Sequence, residues 1–178
     1  MSTGNIHPQW GMTPFIVACW DGRVSVVKYL LKLAKIDVTK PTNEGATPLF
    51  VACQGAHKEV VSLLLADRRI DVNTPTNTGA TPFNIACQQG RKEVVSLLLA
   101  NVRIDVNKPT NMGATPFLIA CQHGHKEVVS LLLDNVRISV NTPNNWGITP
   151  FFIACENDTR KWCHCSWLTG EIDFNTER

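Results

Sequence analysis

The feature that most constrains this sequence is a repeat with a period of 34 residues. The string Gly-x-Thr-Pro recurs at this spacing, beginning at Gly11, Gly45, Gly79, Gly113 and Gly147. An Ala-Cys pair follows each string at a constant distance, and the segment Lys-Glu-Val-Val-Ser-Leu-Leu-Leu occurs three times. Residues 77–110 and 111–144 are identical at 26 of 34 positions. Self-similarity of this kind identifies a repeat architecture.

Each period carries the signals of two short helices. In residues 77–110, Thr81 is a suitable N-cap and Pro82 suits the first helical position, which has no N–H to satisfy. Gly90 can end this helix in the left-handed conformation. The second helix has one apolar stripe, formed by Val94, Val95, Leu98 and Leu99, with Ser96 outside it. One helix pair cannot bury such a stripe alone, whereas stacked pairs can.

The segment GATPLFVACQGAHKEVVSLLLADRRIDVN from Gly45 resembles the ankyrin repeat, and the likeness covers about residues 9 to 178. The resemblance implies an all-α solenoid of stacked helix-turn-helix units with β-hairpin-like loops. We expect a short N-terminal lead, 1–8, followed by an ankyrin-repeat domain, 9–178. Its units one to five are 9–42, 43–76, 77–110, 111–144 and 145–178, and the last is degenerate.

The sequence departs from the family pattern at several positions. The unit has one residue more than the common ankyrin repeat, and no His follows Thr-Pro-Leu. Asn84 occupies that place in unit three, among apolar counterparts, and needs a hydrogen-bonding partner if it is buried. Ala56 replaces the helix-ending Gly in unit two. Because a left-handed Ala costs about 1–2 kcal/mol, we expect Gly55 to end that helix one residue early.

Unit five contains an irregular segment, DTRKWCHCSWLTG at 158–170, where the other units predict GHKEVVSLLLADR. Deleting one base from a set of codons for GHKEVVSLFLADR reproduces this segment throughout, and residues 171–175 again resemble RIDVN. We therefore hypothesise a compensated frameshift, which the DNA of the gene would test. Ser166 replaces a core Leu, while Trp162 and Trp167 replace smaller apolar residues. We expect unit five to be the weakest and to fray first.

The cysteines suggest chemistry but have simpler explanations. The five Ala-Cys thiols should lie about 10 Å apart, too far for disulfides, and are interpreted as small core residues. Cys163-His164-Cys165 is a poor chelate, since zinc ligands are usually spaced by two or more residues, and no second cluster completes it. We find no nucleophile–base pair, phosphate-binding loop or HExxH spacing. The sequence predicts no cofactor, no metal site and no enzymatic activity.

Composition limits the partners and the compartment. Net charge is +2 with scattered Lys and Arg, which argues against nucleic-acid binding. No run of 18 apolar residues or secretory signal occurs, and the seven cysteines are interpreted as thiols in a reducing compartment. We expect an intracellular protein, in the cytoplasm, that does not bind membranes. It should be a monomer or part of a longer repeat array.

The positions that vary between units predict a binding surface. They cluster before the turn Gly and after Ala-Cys, the places that by resemblance line the concave face with which ankyrin proteins bind partner proteins. The predicted contacts are Trp10, Trp20, Asp21, Glu44, Gln54, Thr78, Gln88, Gln89, Met112, Gln122, His123 and Trp146. Exposed Trp and Met are typical interface anchors. The leading hypothesis is an adaptor or scaffold module. Drift at exposed positions in a recently duplicated or decaying array is the alternative, and a metal-dependent or thiol enzyme is the third hypothesis.

Overall fold

A computed structural model describes residues 10–156, and within that range the regular structure is entirely helical. The first helices of the five units are α1 (Pro14–Trp20), α3 (Pro48–Gln54), α5 (Pro82–Gln88), α7 (Pro116–Gln122) and α9 (Pro150–Glu156). The second helices of units one to four are α2 (Val24–Leu31), α4 (Lys58–Ala66), α6 (Lys92–Leu99) and α8 (Lys126–Leu133). The predicted all-α fold is confirmed. The lead 1–8 and the irregular segment 158–170 lie outside the described residues, so the predictions made for them are not tested.

The first helices begin as the sequence predicts. Thr81 is the N-cap of α5, and its Oγ1 accepts a hydrogen bond from the backbone N of Asn84 at 3.2 Å. Thr47 and Thr115 cap α3 and α7 in the same way. Pro occupies the first turn of each of these helices, where its missing N–H has no cost.

Asn84 finds the partners that its burial requires. Its Oδ1 accepts from the backbone N of Thr81 at 2.9 Å and from the Thr81 hydroxyl at 2.6 Å. Its Nδ2 donates to the carbonyl of Lys108 at 3.3 Å. The bond from Thr81 N to Asn84 Oδ1 and the bond from Asn84 N to Thr81 Oγ1 together form a capping box. The polar side chain of Asn84 is therefore accommodated at a fully buried position.

The backbone conformation of Ala56 differs from the one that the sequence predicts. Its φ is 61°, so Ala56 itself takes the left-handed conformation, and the prediction that Gly55 ends the helix there was wrong. The structure supplies a steric reason why Ala is tolerated. A Cβ at Gly90 would lie 2.6 Å from the ring of His125 in the following unit, but Arg91 takes the place of that His after Ala56. The long Arg91 side chain donates from Nε to the Gln54 carbonyl at 3.2 Å.

The second helices bury the predicted stripe. Val94, Val95, Leu98 and Leu99 are buried in α6, and Ser96 is exposed. Neighbouring first helices pack against one another more densely than neighbouring second helices do.

Arginines in the loops after the second helices join neighbouring units. Arg69 donates from Nη2 to the carbonyl of Leu31, the last residue of α2, at 2.9 Å. The same bond joins Arg103 to Leu65 and Arg137 to Leu99. Each arginine therefore satisfies a carbonyl at the C-terminal end of the preceding second helix and places a cation at the negative end of the helix dipole.

Candidate partner-binding surface

The residue before each turn glycine lies at the tip of a hairpin-like turn. In unit three, the backbone N of Thr76 donates to the carbonyl of Ala80, and the N of Gly79 donates to the carbonyl of Thr76, both at 2.9 Å. Gly79 has a φ of 81°, a conformation that side chains disfavour. Thr78 therefore projects from a turn with a defined backbone.

A ladder of backbone hydrogen bonds aligns these tips along the stack. The carbonyl of Thr78 accepts from the N of Asn111 at 3.1 Å, and that of Met112 accepts from the N of Asn145 at 3.1 Å. The Nδ2 of Asn111 also donates to the carbonyl of Asn77 at 3.0 Å. The backbone bond recurs between units one and two and between units two and three, and the Nδ2 bond recurs between units two and three and between units four and five. We call the aligned residues the tip row: Trp10, Glu44, Thr78, Met112 and Trp146.

The side chains of the tip row are all exposed, but their polarity differs along the row. Trp10, Met112 and Trp146 are 53%, 60% and 66% exposed. Glu44 and Thr78, between the first aromatic and the methionine, are exposed polar residues. The ladder therefore presents large apolar side chains near both ends of the row and polar ones in its middle.

A second row lies at the C-terminal ends of the first helices, and we call it the helix-end row: Trp20, Gln54, Gln88 and Gln122. Side chains of the following units hold its backbone. His57 Nε2 lies 2.7 Å from the carbonyl oxygen of Trp20, and His125 Nε2 lies 2.7 Å from that of Gln88. Trp20 and Gln122 are exposed, and the two glutamines between them are half-buried.

The remaining predicted contacts directly follow this row. Asp21 forms an exposed ion pair with Arg23 at 2.9 Å, a contact of little net stability. Gln89 is exposed. The ring of His123 stacks on that of His125 at a centroid distance of 5.9 Å. Partial burial, assisted by the neighbouring His125, lowers the pKa of His123 and so favours its neutral ring.

All five Ala-Cys thiols were predicted to be core residues, and four of them are buried. Cys19, Cys53, Cys87 and Cys121 are buried, and Cys155 is half-buried. Burial raises the pKa of Cys19 and of Cys121 to about 12, so both thiols stay protonated at neutral pH and are poor nucleophiles. Between residues 10 and 156, no group of three His, Cys, Asp or Glu side chains is arranged to hold a metal ion. The Cys163-His164-Cys165 run lies outside that range.

The residues that position both rows are not among the predicted contacts. These are the asparagines of the turn ladder and the side chains that bond the helix ends: Asn43, Asn77, Asn111, Asn145, His57, Arg91 and His125. A signal was present, because Asn precedes the turn Gly by two residues in units two to five. Asn at this place also fits the local preference of turns, so the pattern alone does not reveal the contact with a neighbouring unit.

Comparison with known proteins agrees with this architecture. A family model for ankyrin repeats matches the chain three times, at residues 15–110, 70–144 and 103–177. The chain therefore belongs to the ankyrin repeat family. Ankyrin repeats generally bind other proteins and are typically not enzymes. A search of curated proteins gives no match. Within residues 10–156, none of the helices has the length and apolar character needed to cross a bilayer.

Proposed function

We propose that this chain binds a partner protein along the tip row and the helix-end row, as an adaptor or scaffold module. The observation that carries the proposal is the exposure of Trp10, Met112 and Trp146 in a row with a fixed backbone. Large apolar side chains are costly to expose and become binding anchors when a partner desolvates them. A rigid row lowers the conformational entropy that binding must overcome.

The polar residues between these anchors suit a protein surface. Gln54, Gln88 and Gln122 each carry an amide that can both donate and accept hydrogen bonds. Their register repeats once per unit, because each terminates a first helix. Such amides can bond backbone groups of a partner without requiring a charged ligand. By analogy with the ankyrin family, both rows belong to the concave face, where a partner can contact several units at once.

The experiment compares the intact chain with two matched variants in capture from a lysate of the source cells. The tip variant carries Met112→Ala and Trp146→Ala. The control carries Val102→Ala and Val136→Ala, two almost fully exposed valines in the loops after second helices. We expect a specific protein to be retained by the intact chain and the control and to be lost by the tip variant. All three chains must show the same helical signal and melting temperature.

A photoreactive side chain then locates the contact. Placed at Met112, it should cross-link to the captured protein, whereas the same group at Val102 should not. A third variant, with Trp20, Gln54, Gln88, Met112 and Gln122 changed to Ala, extends the test to the helix-end row. If all chains capture the same background, the proposal fails. The alternative, an array without a dedicated partner, is then favoured.

A further inference from the structure

A second surface, at the outward end of unit one, has the form of an interface between units. Val26 on α2 is 41% exposed, whereas its counterparts Val60, Val94 and Val128 are all buried. Leu30 is half-buried, while the equivalent leucines of α4, α6 and α8 are fully buried. Tyr29 is 64% exposed on the same helix. We call Val26, Tyr29 and Leu30 the outward face.

In units two to four, the surface that corresponds to the outward face is covered by a helix of the preceding unit. Each of α4, α6 and α8 packs against the second helix of the preceding unit. Among the described units, unit one has no described unit before it, and its outward face keeps the apolar residues that internal units bury.

Two cationic residues of unit one, Arg23 and Lys35, occupy positions whose counterparts in later units donate hydrogen bonds to the preceding unit. Lys35 occupies in unit one the place that Arg69, Arg103 and Arg137 occupy in units two to four. Those arginines donate to the carbonyl at the end of the preceding second helix. Arg23 corresponds likewise to Arg91, which bonds the end of the preceding first helix. Unit one thus has a cationic side chain at the positions of both inter-unit donors.

The charge around α2 adds a preference for one kind of partner. Between Asp21 and Asp37 the sequence contains Arg23, Lys28, Lys32 and Lys35 and no acidic residue, and Asp21 forms an ion pair with Arg23. All four cations are exposed. By contrast, α4, α6 and α8 each begin with a Lys-Glu pair, in which the charges offset one another. Because Asp21 offsets the charge of Arg23, the positive charge at α2 comes from Lys28, Lys32 and Lys35, and it favours an acidic partner.

We propose that the outward face binds an amphipathic helix of a partner protein that carries acidic residues beside its apolar stripe. This helix lies parallel to α2, as α2 lies along α4, and its C-terminal carbonyls meet Lys35. Its apolar stripe covers Val26, Tyr29 and Leu30. The outward face is separate from the tip row, so this binding does not depend on the function proposed above.

The experiment uses the full chain and two synthetic peptides of about 18 residues, long enough to form a helix. Both peptides have the same leucine stripe, at positions i, i+3, i+4 and i+7. Glutamate fills the remaining positions of one, and lysine those of the other. Binding is measured by fluorescence anisotropy of the labelled peptide. We expect the acidic peptide to bind at least about tenfold more tightly than the basic one.

Matched variants locate the contact. Val26→Ser should weaken binding of the acidic peptide by about tenfold, whereas Val102→Ser, at another exposed valine, should not change it. Lys35→Glu should weaken binding more than Lys58→Glu, which makes the same change of charge at the start of α4. Unchanged melting temperatures exclude unfolding as the cause. Absence of binding, equal binding of the two peptides, or equal effects of the two serine variants would each overturn the proposal.

Discussion

Units one and three share a sequence pattern but differ in their surroundings. In unit three, Val94 is buried between neighbouring units, while Val26, its counterpart in unit one, is 41% exposed. The turn glycines show the same contrast at the other end of the described range. A Cβ at Gly79 would meet the backbone of Asn111 at 2.5 Å, whereas a Cβ at Gly147 would meet nothing within 4 Å.

This contrast separates two contributions to the fold. The pattern of each unit determines its helices, caps and turn, and within residues 10–156 the first helices have the same length in the middle and at the ends. Burial comes from the neighbours. Stability of a repeat array is accordingly close to a sum of unit terms and interface terms. Substitutions at matched positions can measure the interface term directly.

The largest expected effect is at the core leucines. Leu98→Ala removes a side chain that is fully buried in α6, and we expect a loss of about 3 kcal/mol in the free energy of unfolding. Leu30→Ala makes the same change in α2, where the leucine is half-buried, and should cost about 1.5 kcal/mol. Urea unfolding followed by circular dichroism measures both losses. Equal losses would mean that Leu30 is covered in solution, and the contrast between the units would fail there.

The next largest difference in the free energy of unfolding is expected when two turn glycines are each replaced by alanine. Gly79 and Gly147 have φ values of 81° and 77°, so Ala brings the same left-handed strain, about 1–2 kcal/mol, at both. At Gly79 the new Cβ must also displace Asn111, whose N bonds the carbonyl of Thr78. We expect Gly79→Ala to cost about 1 kcal/mol more than Gly147→Ala, for the lost hydrogen bond. A smaller loss for Gly79→Ala than for Gly147→Ala in urea unfolding would contradict the ladder.

Much of the fold could be predicted from the sequence, because its signals are local. The Thr-Pro start of α5, the left-handed Gly90 and the buried stripe of α6 each follow from neighbouring residues, and all are confirmed. Even the requirement of Asn84 for a partner was met, and by a residue only three positions away.

What the sequence analysis missed depends on contacts 30 or more residues apart. The conformation of Ala56 is tolerated because of Arg91 in the next unit, which no local rule could show. The bond from Arg69 to the end of α2 was missed for the same reason. The exposure of Val26 could not be seen either, since the pattern of unit one is that of an internal unit. The predicted binding contacts are exposed or half-buried, but their role stays a prediction.

A double substitution tests whether units are coupled at Ala56. With Arg91→His, unit three gains the imidazole that in other units lies where a Cβ would clash, as at Gly90. We expect this change to cost about 1 kcal/mol on its own through overpacking. It should cost close to nothing when combined with Ala56→Gly, which removes the Cβ. A double-mutant cycle from urea unfolding gives the coupling energy. Additive effects would show that the pairing of Gly with His is incidental.

The last prediction concerns the rate at which thiols are labelled, a measurement that does not alter the stability of the protein. Cys87 is fully buried in the middle of the stack, while Cys155 in α9 is half-buried. Burial raises the pKa of Cys87, so at pH 8 its thiol stays protonated and reacts only when the structure opens locally. We expect iodoacetamide to label Cys155 at least about tenfold faster than Cys87, as followed by mass spectrometry of the separated peptides.

The control for this labelling is the same reaction in urea, where both thiols should react at similar rates because neither is buried. Cys53 and Cys121 extend the measurement along the stack, since both are buried in internal units. They should be protected like Cys87. If Cys121 reacts as fast as Cys155, local opening extends from unit five into unit four, and the boundary between middle and end moves inward by one unit.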